Sequence, residues 1–174
     1  MKRLKCSLAA LMLAGGAACS PTFNWREFTP EGSGILVSFP CRPDQVERKV
    51  PLAGARRQMV MLACDAGGAT FALAFVDAAE PADVAATLNE LRAIALRNMQ
   101  AAAPQLTPAH VSGMTPNAAA VRLSAAGRLP DGGAVNIHAA FFTRGVRVYQ
   151  ATVIGAEPAP PAVQTFFDAL KFAG

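Results

Sequence analysis

The last thirty residues, Gly145 to Gly174, limit what this chain can become. Within them, Val146 to Ile154 is rich in β-branched residues and reads as a strand. Gly155 to Pro161 reads as a turn, and Ala162 to Phe172 as a closing helix. Val163, Phe166, Phe167 and Leu170 fall at i, i+3, i+4 and i+7, an apolar face wide enough to need a sheet beneath it. Such spacing is the mark of a helix that covers a core, so a lid on a sheet is expected here and a ligand site is not.

The other end of the chain reads as an export signal. Lys2, Arg3 and Lys5 form a basic start, Leu8 to Ala14 an apolar run, and Gly15 to Ala18 a small-residue stretch ending at Cys19. The apolar run is too short for a bilayer core, which takes about 20 residues, so removal of residues 1–18 is expected. Two cleavages fit. Ordinary signal peptidase would release a soluble periplasmic protein beginning at Cys19. Alternatively, Gly16-Ala17-Ala18-Cys19 resembles the lipobox of bacterial lipoproteins, although Gly16 stands where that pattern usually has Leu. That resemblance implies lipidation of Cys19, with residues 19–24 as a tether, and by length residues 25–174 are expected to form one globular domain. Ser20 resembles the sorting context that directs such proteins to the outer membrane.

Cysteine arithmetic favours the lipid. Removing the signal takes Cys6 with it and leaves Cys19, Cys41 and Cys64. In an oxidising compartment an odd thiol is a liability, whereas a Cys41–Cys64 pair plus an acylated Cys19 leaves none free. Cys41 follows the first long strand and Cys64 closes the third, so an antiparallel layout sets them side by side. Closing the 22 intervening residues is worth about 3 kcal/mol on a chain-entropy argument. A redox role for these thiols lacks the short Cys-x-x-Cys spacing.

Charge changes meaning once the signal is set aside. The full chain carries 16 Lys and Arg against 12 Asp and Glu. Three of the basic residues lie in the signal, which leaves 13 against 12. With basic residues scattered, one Trp and one Tyr, nothing points to nucleic acid. Arg48-Lys49 and Arg56-Arg57 read as solvated strand ends flanking a hairpin turn. About 155 remaining residues make a one-domain length that can bury its own core without a metal.

In order, Phe23 to Phe28 reads as an extended lead-in whose Trp25 and Phe28 dock on the body. Ile35 to Phe39 is a strand, and Gln45 to Val50 and Arg56 to Cys64 form a hairpin around Pro51 to Gly54. Thr70 to Val76 is a buried strand, with Phe71, Leu73 and Phe75 on one face and alanines with Val76 on the other. A long helix follows the Glu80-Pro81-Ala82-Asp83 start, with Val84, Leu88, Leu91, Ala95 and Met99 inward and Glu90 and Arg92 outward or at its edges. The chain then returns to strands, a short one near His110 to Met114, then Ala118 to Ala126 and Ala134 to Thr143. With the final strand these form an antiparallel meander, since no connection is long enough for a crossover helix.

The expected fold is α+β: a mostly antiparallel sheet of about six to eight strands covered by two helices. At this point the chain resembles small exported bacterial proteins of the PsbP-like fold. Val37-Ser38-Phe39-Pro40 at the start, and Tyr149 with the helix Phe166 to Phe172 at the close, carry the resemblance. It implies the sandwich fold and a role as an accessory or assembly factor on a larger complex, and it carries over no catalytic residue.

The motifs of common catalysis are missing from the sequence. There is no Gly-x-Ser-x-Gly, no Cys-x-x-Cys, no His-Glu-x-x-His and no phosphate loop. A metal site would need His110 and His138 to meet Asp65, Asp77 or Asp131, and no pair has ligand spacing. The expectation is therefore a non-catalytic envelope protein with no cofactor or metal. It faces the periplasm, touches the membrane through lipid only, and binds a protein partner by an exposed apolar or aromatic patch. The alternative is a carrier of a small ligand or lipid, which calls for an enclosed apolar pocket of about 300 Å3 or more. An enzyme, the third reading, calls for clustered polar groups with perturbed pKa values.

Overall fold

The computed structural model describes residues 22–173. The fold is α+β, and its frame is a seven-stranded antiparallel sheet in the order β3-β4-β5-β9-β8-β7-β6. These strands are β3 (Asp44–Leu52), β4 (Ala55–Ala66), β5 (Ala69–Asp77), β6 (Gln105–Pro108), β7 (Val121–Arg128), β8 (Ala134–Arg144) and β9 (Arg147–Gly155). β7, β8 and β9 form the expected meander, and β9 closes the sheet by pairing with β5, Leu73 opposite Ala151. One face is covered by helix α1 (Val84–Asn98), which buries Val84, Thr87, Leu88 and Leu91. The other carries helix α2 (Pro160–Asp168) and a second, three-stranded sheet, β1 (Arg26–Phe28), β2 (Ile35–Phe39) and β10 (Lys171–Phe172), in the order β1-β2-β10.

The alternation in β5 divides the core into two halves. Phe71, Leu73 and Phe75 point to the α2 side, and Ala74 and Val76 to the α1 side. Under α2 the packing is aromatic: Phe166 sits 5.4 Å from both Phe39 and Phe71, edge to face, and Phe142 stacks on Tyr149 at 5.2 Å. Phe166 and Phe167 are both buried, as a contact stripe centred between them requires.

Three sequence readings are corrected. The closing helix stops at Asp168 instead of Phe172, and the chain turns into β10 on the edge of β2, Phe172 opposite Ile35. At 100° per residue a continued helix would carry Phe172 to the side opposite Val163, in solvent. As a strand it is buried against Tyr149 and Phe142. The strand expected at His110 to Met114 lies earlier, as β6. The later segment is a loop with Gly113 at φ +77° and a single bridge from Ser112 to Lys171. The hairpin turn is the two residues Ala53 and Gly54, both at positive φ, so Pro51 stands inside β3, which is an edge strand and can spare its N–H.

Cys41 and Cys64 are joined, with Cα atoms 6.0 Å apart. The expected reason was neighbouring strands, and that is not the geometry. Cys41 lies in the connection from β2 of the small sheet to β3 of the large one, so the bridge fastens that connection to β4.

Candidate functional site

α1 is narrower than the sheet face it covers. It lies over β8 and β9 and reaches β3 only near the hairpin, so the half of that face built by β3, β4 and β5 is left without a roof. The result is an apolar groove of about 590 Å3. Its floor follows from register: Ala63 opposite Ala72, and Met61 opposite Ala74, share the α1 side of the sheet. Ile94 and Ala95 of α1 make one wall, and Val46 and Val50 of β3 the other. Val46 is 44% exposed, the clearest apolar exposure on this rim. Alanine floors the groove where phenylalanine fills the opposite face, and the side-chain volume missing from the floor is the space itself.

Polar groups in the groove are few and partly satisfied. Gln150 Nε2 donates to Thr152 Oγ1 at 3.1 Å, and Asp44 and Arg48 stand exposed at the rim. The hairpin that forms the outer wall is tied to α1 by one bond: Glu90 Oε2 accepts from the Ala53 amide at 2.6 Å. Glu90 was expected outward or at the edge of α1, and it lies at the edge. Its carboxylate takes the amide that a turn with two positive-φ residues leaves without a ladder partner.

The most connected polar cluster lies across the sheet. Arg147 donates through Nε to Asp77 Oδ1 at 2.6 Å and through a second nitrogen to Oδ2 at 2.7 Å, and it also bonds the Gly32 carbonyl. The Arg147 hydrogen bond holds the Asp77 carboxyl below its usual range. Tyr149 donates to the carbonyl of fully buried Ser33 at 2.6 Å, and burial pushes its phenol up to about 12. These bonds tie the loop before β2 to β5 and β9. A phenol that stays protonated and donates to a backbone carbonyl is a structural strut, with no proton in play near neutrality.

The remaining candidates are dispersed. Cys19 lies outside the described residues. His138 is half-buried on β8 with its pKa lowered, chiefly by burial and then by Arg122. His110 is exposed, beside Leu106 and Met114 in a recess between β6 and the following loop. Asp65 accepts from Thr70 Oγ1 at 2.5 Å, Asp77 holds Arg147, and Asp131 accepts from the Gly133 amide. Among the described residues no three His, Cys, Asp or Glu side chains gather as a metal-ligand set, and no helix is long and apolar enough to cross a membrane.

Sequence reasoning missed the groove. Its signal was present in the alternation, since β5 offers Thr70, Ala72, Ala74 and Val76 to the α1 side and no large side chain, but alanine reads as filler when the roof is unknown. By fold and site the molecule is an α+β sandwich with one closed face and one half-open apolar face. No protein-family model matches the chain, and no curated sequence matches it either.

Proposed function

We propose that this protein is a non-catalytic envelope lipoprotein, held facing the periplasm by lipid on Cys19, that binds an apolar segment of a protein partner in the groove beside α1. The groove carries the reading. It is apolar, it is unroofed over β3, β4 and β5, and its volume lies within the roughly 300–1,000 Å3 range of functional pockets. The resemblance to PsbP-like accessory factors points the same way.

The packing of Phe23 supports a short tether. Its ring lies where a Cβ on Gly67 would stand 2.4 Å from Phe23 Cζ, and it stacks on Trp25 at 6.0 Å. Phe23, which packs against the domain, stands four residues after Cys19, a reach of at most about 14 Å. A lipid on Cys19 would hold the domain close to the bilayer surface.

A carrier of a lipid chain is the second reading. The small-residue floor and scarcity of hydrogen-bonding groups favour it, while the open side, where an enclosed pocket was expected, favours the partner. A photo-reactive residue in place of Met61, in intact cells, separates the two. Crosslinking to one protein supports the partner; labelled lipid alone supports the carrier. Palmitate labelling of the chain, lost in Cys19→Ala together with membrane retention, tests the anchor.

A further inference from the structure

We infer that β3 is the contact edge of a two-fold dimer, in which two copies of this chain join their large sheets antiparallel about Arg48. β3 runs nine residues and pairs only with β4, so its other side is open. Leu52 and Ala55 flank a two-residue turn and therefore form a hydrogen-bonded pair. Strict alternation from that pair turns the amide and carbonyl of Gln45, Glu47 and Lys49 outward, while Pro51 offers only its carbonyl. The Lys49 carbonyl accepts from the Arg56 guanidinium at 3.3 Å, consistent with a group that faces away from the ladder. The opposite edge of the sheet, β6, is four residues long and bounded by Pro104 and Pro108, a poor template for pairing.

Charged residues on an edge strand usually repel a second strand. On β3 they match one. Pairing two edges antiparallel by a two-fold axis keeps each face on its own side, so opposing residues must share parity and the axis must pass through a residue. With the axis at Arg48, Glu47 faces the partner's Lys49 and Val46 faces the partner's Val50, each contact occurring twice. The outward amides of Glu47 and Lys49 then meet outward carbonyls. An axis at Glu47 or at Lys49 would instead set like charges together at the centre and place Arg48 against a valine, and an axis at Val46, which sets Arg48 against the partner's Asp44, would pair only residues 44–48 and leave the rest of β3 open. The Arg48-centred register has one like-charge contact, Arg48 with its own copy, on long side chains beside solvent. It covers Val46, and it brings the β3 walls of the two grooves together.

The test uses the full chain under oxidising conditions. Arg48→Cys should give a disulfide-linked dimer, because opposed residues in a non-hydrogen-bonded pair have Cα atoms about 4.5 Å apart. Val46→Cys and Val50→Cys should each stay unlinked alone and link when the two variants are mixed. In sedimentation, Lys49→Glu should weaken self-association about tenfold, since two opposite-charge pairs become like-charge pairs. Glu47→Lys together with Lys49→Glu should restore it. A chain that stays monomeric, linkage at Val46→Cys alone, linkage of Arg48→Cys to some other protein, or no rescue by the double exchange would overturn the dimer.

Discussion

The two faces of the large sheet are built from the same strands and behave as opposites. Facing α2, β5 presents Phe71, Leu73 and Phe75, and rings from α2, β2, β9 and β10 close over them until Phe39, Phe142 and Phe166 have almost no exposure. Facing α1, β5 presents Ala72, Ala74 and Val76, and a single helix covers half the width. Where the side chains are large, the fold supplies matching partners from four elements. Where they are small, it leaves room. Stability should therefore be concentrated on the aromatic face, and binding on the alanine face.

Substitutions can break this contrast. The largest effect is expected at Phe166→Ala, about 3 to 5 kcal/mol of lost stability, with Phe167→Ala close behind, as read from denaturant midpoints. Next, Cys41→Ser with Cys64→Ser should cost about 3 kcal/mol, because the bridge closes the loop between the β2–β3 connection and β4. A matched pair of enlargements sharpens the comparison further. Ala151→Leu, on the fully buried aromatic side, should cost about 1 to 3 kcal/mol by overpacking, whereas Ala74→Leu in the groove floor should change stability by less than about 0.5 kcal/mol. Equal costs at the two positions would mean that the groove is not open space.

Smaller effects follow. Glu90→Ala removes the bond to the Ala53 amide and should cost about 1 to 2 kcal/mol, with faster hydrogen exchange at the hairpin tip. Asp77 supplies the pH dependence. Its folded pKa is depressed by Arg147, so it adds stability above its unfolded value and loses that contribution as pH falls through the folded one. Arg147 is 32% and Asp77 51% exposed at the side chain, which limits the pair to about 1 kcal/mol, and Asp77→Asn should flatten that acid limb. Gln164→Ala and Asp168→Ala, on the solvent side of α2, should stay within about 0.5 kcal/mol.

Much of the architecture was legible because it rests on strong periodicity. The alternation from Thr70 to Val76, the apolar stripe of α1 and the Phe166-Phe167 face each specify an element and its inward side. The Cys41–Cys64 contact was anticipated for the wrong reason, since strand order in sequence did not disclose that β2 leaves the large sheet. Elements held by pairing instead of pattern were lost: β6 lies between two prolines, and β10 is two residues whose strand form depends on an edge supplied by β2. The groove was illegible for a related reason. An alanine floor becomes a site only when the helix above is too narrow to cover it, and that is a fact of tertiary width, not of local sequence.

On the proposed function the alanine face binds and the aromatic face holds the fold. Ala74→Trp tests it most directly, by filling the groove from its floor while leaving the aromatic half untouched. Stability and recovery of whatever crosslinks to the groove should be measured on the same variant. An unfolding midpoint close to that of the parent chain is expected, together with loss of the crosslinked species. A variant that folds normally and still captures the same species would contradict the proposed function.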